Sequence, residues 1–386
     1  VPFVEPLLPD DDPTWPESLT GRDGAWTQIG PVVGTNDAPL PEWVVEPPRP
    51  GERCLFVAEF GDEQAREVAA AGHPVVAEAG GLAGSHVLAA GVHLLGSKDF
   101  AAAHRPDRVI VLGRPTLFRA VSALLSDPEI IVDIVAPTAD YPDQAGNGRQ
   151  VAPALAALSV APDQAWSGRW RDADQTAQTA VTTLLDARDI AASPVLARTL
   201  ARTLPTGATL VVASSQPPRD IGLFTSPRDG VRVVANRGVA GIDGMVSTAA
   251  GVAMARGGAP TYALLGDLAF LHDITGLAIG PHEPRPDLTI VVANNDGGAI
   301  FATLEPGEPM HANAFERVFG TPTGASLAPI VEGFGAEHLL AITANELTDA
   351  IVEPPSGIRV VEVPVIRTDL RALLGDVRAA VAAALR

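Results

Sequence analysis

The sequence predicts an α/β fold made of two doubly wound parallel-sheet domains. Three observations lead there. Short runs rich in Val, Ile and Leu alternate with segments of helical period, the pattern of parallel strands joined by crossover helices. That alternation is broken by turn-forming residues at YPDQAGNGRQ, residues 141–150, and resumes in the second half of the chain. Finally, 386 residues, 46% of them hydrophobic, suit two domains with sizeable cores.

Taken in order, residues 1–50 are rich in Pro and acids and hold no helical period, so they read as an irregular linker packed over a neighbouring domain. Residues 51–165 read as a first, Rossmann-like domain. RCLFVAEF is a strand ending near Gly61, DEQAREVAAAG a helix and HPVVAEAGG a second strand. DRVIVLG (107–113) is a third strand, LFRAVSALLSD a helix and EIIVDIVAP (129–137) a fourth strand. Residues 166–386 read as the second domain. TAQTAVTTLLDARDI is helical and leads into SPVLARTLARTLP, with Ser193 as the N-cap and Pro194 at the first helical position. Strands follow at ATLVVASS (208–215), VRVVANRG (231–238), TYALLGD (261–267), DLTIVVANND (287–296) and IRVVEVPV (358–365). Helices are expected from Ile242 to Ala255 and from about Leu271.

Charge and cysteine content narrow the function. Acids outnumber bases 46 to 27, for a net charge of −19, which argues against nucleic acid or an anionic membrane as partner. Lys98 is the single lysine, so any grip on carboxylates or phosphates falls to arginine forks. Cys54 is the single cysteine; it excludes an internal disulfide framework and fits a reducing cytoplasm. No signal-peptide pattern and no apolar stretch of bilayer-spanning length is present.

The chemistry gathers at two strand ends. In an open α/β sheet, ligands bind beyond the carboxyl ends of the strands. TYALL ends in Gly266-Asp267, and TIVVA ends in Asn294-Asn295-Asp296-Gly297-Gly298. Asp267 and Asn295 are 28 residues apart, one strand–helix–strand unit, which places the two ends side by side. The Asp267 carboxylate, the Asn295 side-chain oxygen and the Gly297 carbonyl make a small hard-cation site suited to Mg²⁺, with a bound diphosphate and water supplying further oxygens. Either segment alone is explained as an ordinary turn; the two together, at opposite ends of one unit, are far more specific. His272-Asp273 reads as a local helix pair. No HExxH, Gly-x-Ser-x-Gly elbow or P-loop occurs.

This pairing resembles the diphosphate and metal signature of thiamine diphosphate enzymes, with Leu268 where Gly is usual. Three stretches are similar to the 2-succinyl-5-enolpyruvyl-6-hydroxy-3-cyclohexene-1-carboxylate (SEPHCHC) synthase family: Asn236-Arg237-Gly238-Val239-Ala240-Gly241-Ile242-Asp243-Gly244, Gly266-Asp267-Leu268-Ala269, and Asn294-Asn295-Asp296-Gly297-Gly298-Ala299-Ile300-Phe301. The resemblance implies that 51–165 is a middle domain and 166–386 the diphosphate- and metal-binding domain. It implies thiamine diphosphate and Mg²⁺ or Mn²⁺ as cofactors, with Asp267, Asn295 and Gly297 as metal ligands. Gly241, Gly266 and Leu268 match positions near the cofactor, and Ile300 and Phe301 match pocket-lining residues. Ile242 matches the apolar wedge beneath the thiazolium, although a core position on a helix explains it equally well from sequence. Ala269 stands where a hydroxyl residue near the diphosphate is usual, a lost donor worth about 1 kcal/mol.

The implied reaction is that of a transferase of menaquinone biosynthesis. It decarboxylates 2-oxoglutarate and adds the succinyl-semialdehyde carbanion to isochorismate. Ser215, Arg219 and Arg237 match substrate-binding positions, and Arg119 stands near a basic position of the middle domain; solvation at the surface is the alternative for each arginine. A homodimer or homotetramer is implied. In the resembled family a pyrimidine-binding domain with an activating Glu precedes the stretch similar to VPFVEPL. A chain starting at Val1 is therefore expected to be truncated and inactive by itself. Two other readings stay open: a different 2-oxoacid decarboxylase or acetolactate synthase-like enzyme, or a non-catalytic cofactor-binding module.

Overall fold

A computed structural model of the chain describes residues 44–137 and 142–386. Most of the expected linker, residues 1–43, lies outside them. Its last part adheres to the first sheet unit: Val45 is fully buried and bridges to Leu155.

The class is as expected, α/β with two all-parallel sheets. The first sheet contains β1 (Cys54–Ala58), β2 (Val75–Ala77), β3 (Arg108–Leu112), β4 (Ile131–Val135) and β5 (Gly148–Ala152), in the order β2-β1-β3-β4-β5. The fifth strand departs from the reading of 141–150 as a break. It is held by Asp133 in β4, which is fully buried and bonds Arg108 from β3 (2.6 Å) and Arg149 from β5 (2.9 and 2.5 Å). A buried carboxylate needs partners, and the third strand and the unforeseen fifth supply them.

The second sheet contains β6 (Thr209–Val212), β7 (Arg232–Ala235), β8 (Thr261–Gly266), β9 (Leu288–Asn294), β10 (Glu337–Leu340) and β11 (Ile358–Pro364), in the order β10-β11-β9-β8-β6-β7. β10 is a further strand that sequence reading missed; EHLL is short, lies at a sheet edge and is only half-buried. The inner strands β6, β8 and β9 are buried on both faces, hence their unbroken Val, Leu and Ile runs.

Some helices start elsewhere than expected. The helix expected at Ile242 begins at Met245, because Gly244 adopts a left-handed conformation (φ +69°). The helix expected near Leu271 spans Asp267–His272 and a 3₁₀ turn follows at Ile274–Leu277. Ala192, not Ser193, is the N-cap of the Ser193–Thr203 helix; the Ser193 hydroxyl makes no capping bond and Ser193 lines a cavity described below.

The Gln164–Leu185 helix connects the two units, and the expected boundary at 165/166 falls in its first turn. Asp163 caps it by accepting from Trp166 N (2.9 Å). Trp170 meets Phe100 of the first unit edge to face, and the helix also packs along the Leu370–Ala384 helix of the second unit. A continuous apolar core runs from the first sheet through these helices to one face of the second sheet; a second cluster, with Val211, Met245, Ile290 and Val360, fills the other face.

The units also meet through main chain. A Cβ on Gly222 would lie 2.3 Å from the Glu78 carbonyl oxygen, and one on Gly81 would lie 2.2 Å from the Ser226 carbonyl carbon. Only glycine permits such approach. Among the described residues, no helix is long and apolar enough to cross a membrane.

Candidate active site

In the second sheet the strand order reverses between β6 and β8. Such a switch point opens a crevice at the carboxyl ends, and a cavity of about 140 Å³ lies there. It is lined by Ser214, Ser215 and Gln216 after β6, by Gly266, Asp267, Leu268 and Ala269 after β8, and by Asn295, Gly297, Ile300 and Phe301 after β9, with Ile242. Gly241 adjoins Ile242 but is not in the lining.

The expected adjacency of the two strand ends is present. β8 and β9 pair in parallel up to Gly266–Ala293, and Asp267 Oδ2 accepts a hydrogen bond from Gly297 N at 2.7 Å. The Asn294–Gly298 turn is tightly held. Asn294 Nδ2 donates to Glu362 Oε1 (2.7 Å), whose other oxygen lies 2.8 Å from His338 Nε2. Asp296, at φ +50°, accepts from Thr323 N and Gly324 N. Arg367 Nε donates to the Asn295 carbonyl (3.1 Å) while its guanidinium is clamped by Glu316 at 2.6 Å to each oxygen. Gly297 (φ +146°) has to be glycine: a Cβ there would lie 2.1 Å from the Gly320 carbonyl oxygen.

The residues fit a bound cation. Asp267 is buried, and burial pushes its carboxyl up to about 6 despite the N–H donors of Gly297 and Asn295. Asn295 Oδ1 is buried without a hydrogen-bond partner. A carboxylate resisting ionisation beside an orphaned amide oxygen is relieved by a hard cation, which favours the ionised carboxylate and takes up the free acceptor. Among the described residues no cluster of three or more His, Cys, Asp or Glu forms a metal site; one carboxylate, one amide and one carbonyl suit Mg²⁺ with most ligands left to phosphate and water.

The arginines gather beside this cavity, not in its lining. Ser215 has φ +78° and ψ −123°, strained for a residue with a side chain, at the sharp exit from β6. Arg219 Nη1 donates back to the Ser215 carbonyl at 2.5 Å. Burial and the positive charges of Arg237 and Arg119 lower the Arg219 pKa, so the three form one cationic group. Arg237 Nη2 donates to Thr116 Oγ1 of the first unit (2.8 Å). Arg119, mostly exposed, makes a two-pronged pair with Glu305 at 2.6 and 3.0 Å, which holds the Glu305 carboxyl down at about 2.

Sequence reading missed several participants. Ser193, Gln216 and Asp220 form one wall of the cavity. Gln216 Nε2 donates to Asp220 Oδ1 (2.7 Å), and burial pushes the Asp220 carboxyl up to about 7. The one available signal was a run of polar residues just after β6. Glu362, Arg367 and Glu316 had none, because they lie 21–72 positions from the turn they brace.

A switch-point cavity with an Asp–Asn pair at adjacent strand ends and arginines beside it fits the thiamine diphosphate-binding unit of an α/β enzyme. The family model of the C-terminal TPP binding domain of thiamine pyrophosphate enzymes matches residues 220–363. The chain belongs to the SEPHCHC synthase family. It is 43% identical over 390 residues to that synthase from Saccharopolyspora erythraea, covering 100% of this chain and 69% of the relative. It is 41% identical to the synthase of Rhodococcus erythropolis (98% and 67%) and 40% identical to that of Rhodococcus jostii (98% and 68%).

Proposed function

We propose that the chain is the cofactor- and substrate-binding part of a carboligase of menaquinone biosynthesis dependent on thiamine diphosphate and Mg²⁺ or Mn²⁺. The reaction decarboxylates 2-oxoglutarate and joins the remaining succinyl unit to isochorismate to give SEPHCHC. The observation that carries this is the Asp267–Asn295 pair, a carboxylate fixed by Gly297 N next to an unsatisfied amide oxygen across adjacent strand ends. When bound, thiamine diphosphate supplies the nucleophile and electron sink for 2-oxoacid decarboxylation.

The protein's own residues do the holding. Asp267, Asn295 and the Gly297 carbonyl would hold the metal, with Gly266, Leu268 and Ala269 around the diphosphate. Ile242 would brace the thiazolium from below, its β-branched side chain restricting the available rotamers. Ile300 and Phe301 would shield the reacting centre from water. Ser215, Arg219, Arg237 and Arg119 would orient substrate carboxylates, with positioning supplying much of the rate. The lone, buried Cys54 fits a cytoplasmic enzyme, and a homodimer or homotetramer is the proposed assembly.

In the whole encoded protein, Asp267→Asn and Asn295→Ala are each expected to weaken Mg²⁺-dependent thiamine diphosphate binding by about 100-fold or more, beyond the loss typical of an outer-shell partner. Calorimetry reads this, and unchanged affinity would overturn the site. A substrate panel reads the reaction: turnover of 2-oxoglutarate is expected, and turnover of pyruvate alone would point to a different 2-oxoacid enzyme.

A further inference from the structure

We propose that Glu78 is a positioning residue that, acting through the Thr116–Leu117 turn, fixes the Arg237 guanidinium for a substrate carboxylate. The first sheet unit then sets the grip of a site built on the second. This rests on the reading of Arg237 as a carboxylate-binding residue.

Glu78 follows β2 directly and is 1% exposed. Its backbone cannot drift, because its carbonyl oxygen presses on Gly222, where no Cβ fits. Its carboxyl oxygen Oε1 accepts from Leu117 N. The neighbouring Thr116 accepts from Arg237 Nη2 at 2.8 Å. A second carboxylate, Glu59, holds the same loop from its other end by accepting from Arg114 N at 2.8 Å. The loop is thus pinned at two points by carboxylates from the ends of β1 and β2, and its hydroxyl is delivered to an arginine of the other unit.

Electrostatics agree with this geometry. Arg219 and Arg237 repel one another, and Glu78 acts on both as a countercharge. Burial pushes the Glu78 carboxyl up to about 7, while the Leu117 and Thr116 N–H groups and Arg237 pull it down and Glu59 opposes them. Its second oxygen, Oε2, and Arg237 Nε are both buried without a hydrogen-bond partner. A carboxyl kept at such a disadvantage solely to satisfy loop amides is poorly explained; one that orients a functional guanidinium is not.

The test uses steady-state kinetics of the whole encoded protein with 2-oxoglutarate and isochorismate. Arg237→Gln comes first and is expected to raise the KM for one of the two. Glu78→Ala and Thr116→Val are each expected to raise that same KM about tenfold, the loss of a hydrogen bond to a charged group, with kcat within about threefold and thiamine diphosphate affinity unchanged. The double variant is expected to be no worse than Thr116→Val alone, because both act on one contact. Glu78→Gln keeps an acceptor for Leu117 N and is expected to restore KM to within about twofold. If Arg237→Gln raises KM while Glu78→Ala and Thr116→Val do not, the inference is overturned and the reading of Arg237 stands. If Arg237→Gln changes neither KM, that reading falls and the inference with it. Should Glu78→Ala not fold, Thr116→Val decides alone, since it removes a single hydroxyl without changing shape.

Discussion

Asp174 illustrates how a buried carboxyl outside the active site shapes stability. It sits in the middle of the Gln164–Leu185 helix, accepts from Ala90 N (2.7 Å) and Gln178 Nε2 (2.5 Å), and is pushed up to about 6 mainly by burial. Its folded-state value is raised, so the protein prefers it protonated. The penalty for ionising it grows as pH rises from about 4 through 6 and is complete above that. At 1.36 kcal/mol per pKa unit this amounts to up to about 3 kcal/mol at pH 7. Asp174→Asn keeps an acceptor for Ala90 N and removes the penalty. Thermal melts are expected to show the variant gaining on the native protein between pH 4 and 7; equal gains at both pH values would refute this. Such a role was illegible in the sequence, because nothing in QTAQT announces that the preceding Asp faces inward. The adjacency of Asp267 and Asn295 was legible for the opposite reason: each follows an apolar run that ends in a glycine-containing turn, and the two runs are one strand–helix–strand unit apart.

At the scale of elements, strands whose side chains pack on both faces were readable as apolar runs, and β1, β3, β4, β6, β8, β9 and β11 were all placed from such runs. β5 and β10 were not, since GRQVA and EHLL lie at sheet edges and keep polar residues. β5 nevertheless left a trace, the Asp in the middle of IIVDIVA. That aspartate needs cations, and Arg149 is reachable only if residues 148–152 join the sheet. Asp133→Ala is expected to lose about 3 kcal/mol, because it strips Arg108, 3% exposed, of its close carboxylate and leaves only Glu52 at 3.6 Å as a countercharge. Replacing Arg149 alone is expected to do much less, since that side chain is half-exposed. Denaturant unfolding of the two variants distinguishes them; equal losses would contradict the account.

Across the whole molecule, the net charge of −19 hides a local gathering of guanidinium groups, Arg219, Arg237 and Arg119. Composition reports an average, and this site is an exception to it. Among the described residues the cavity lining contains two carboxyls, Asp220 and Asp267, and no glutamate. Both are held in place, Asp267 by the Gly297 N–H and Asp220 by the Gln216 side-chain amide.

The glycine contacts at positions 81 and 222 bear on motion. Backbone pressed on backbone leaves no side chain to rearrange, so sliding of one sheet past the other meets steric resistance at this seam. Any relative movement of the two lobes has to pivot at these contacts rather than slide across them.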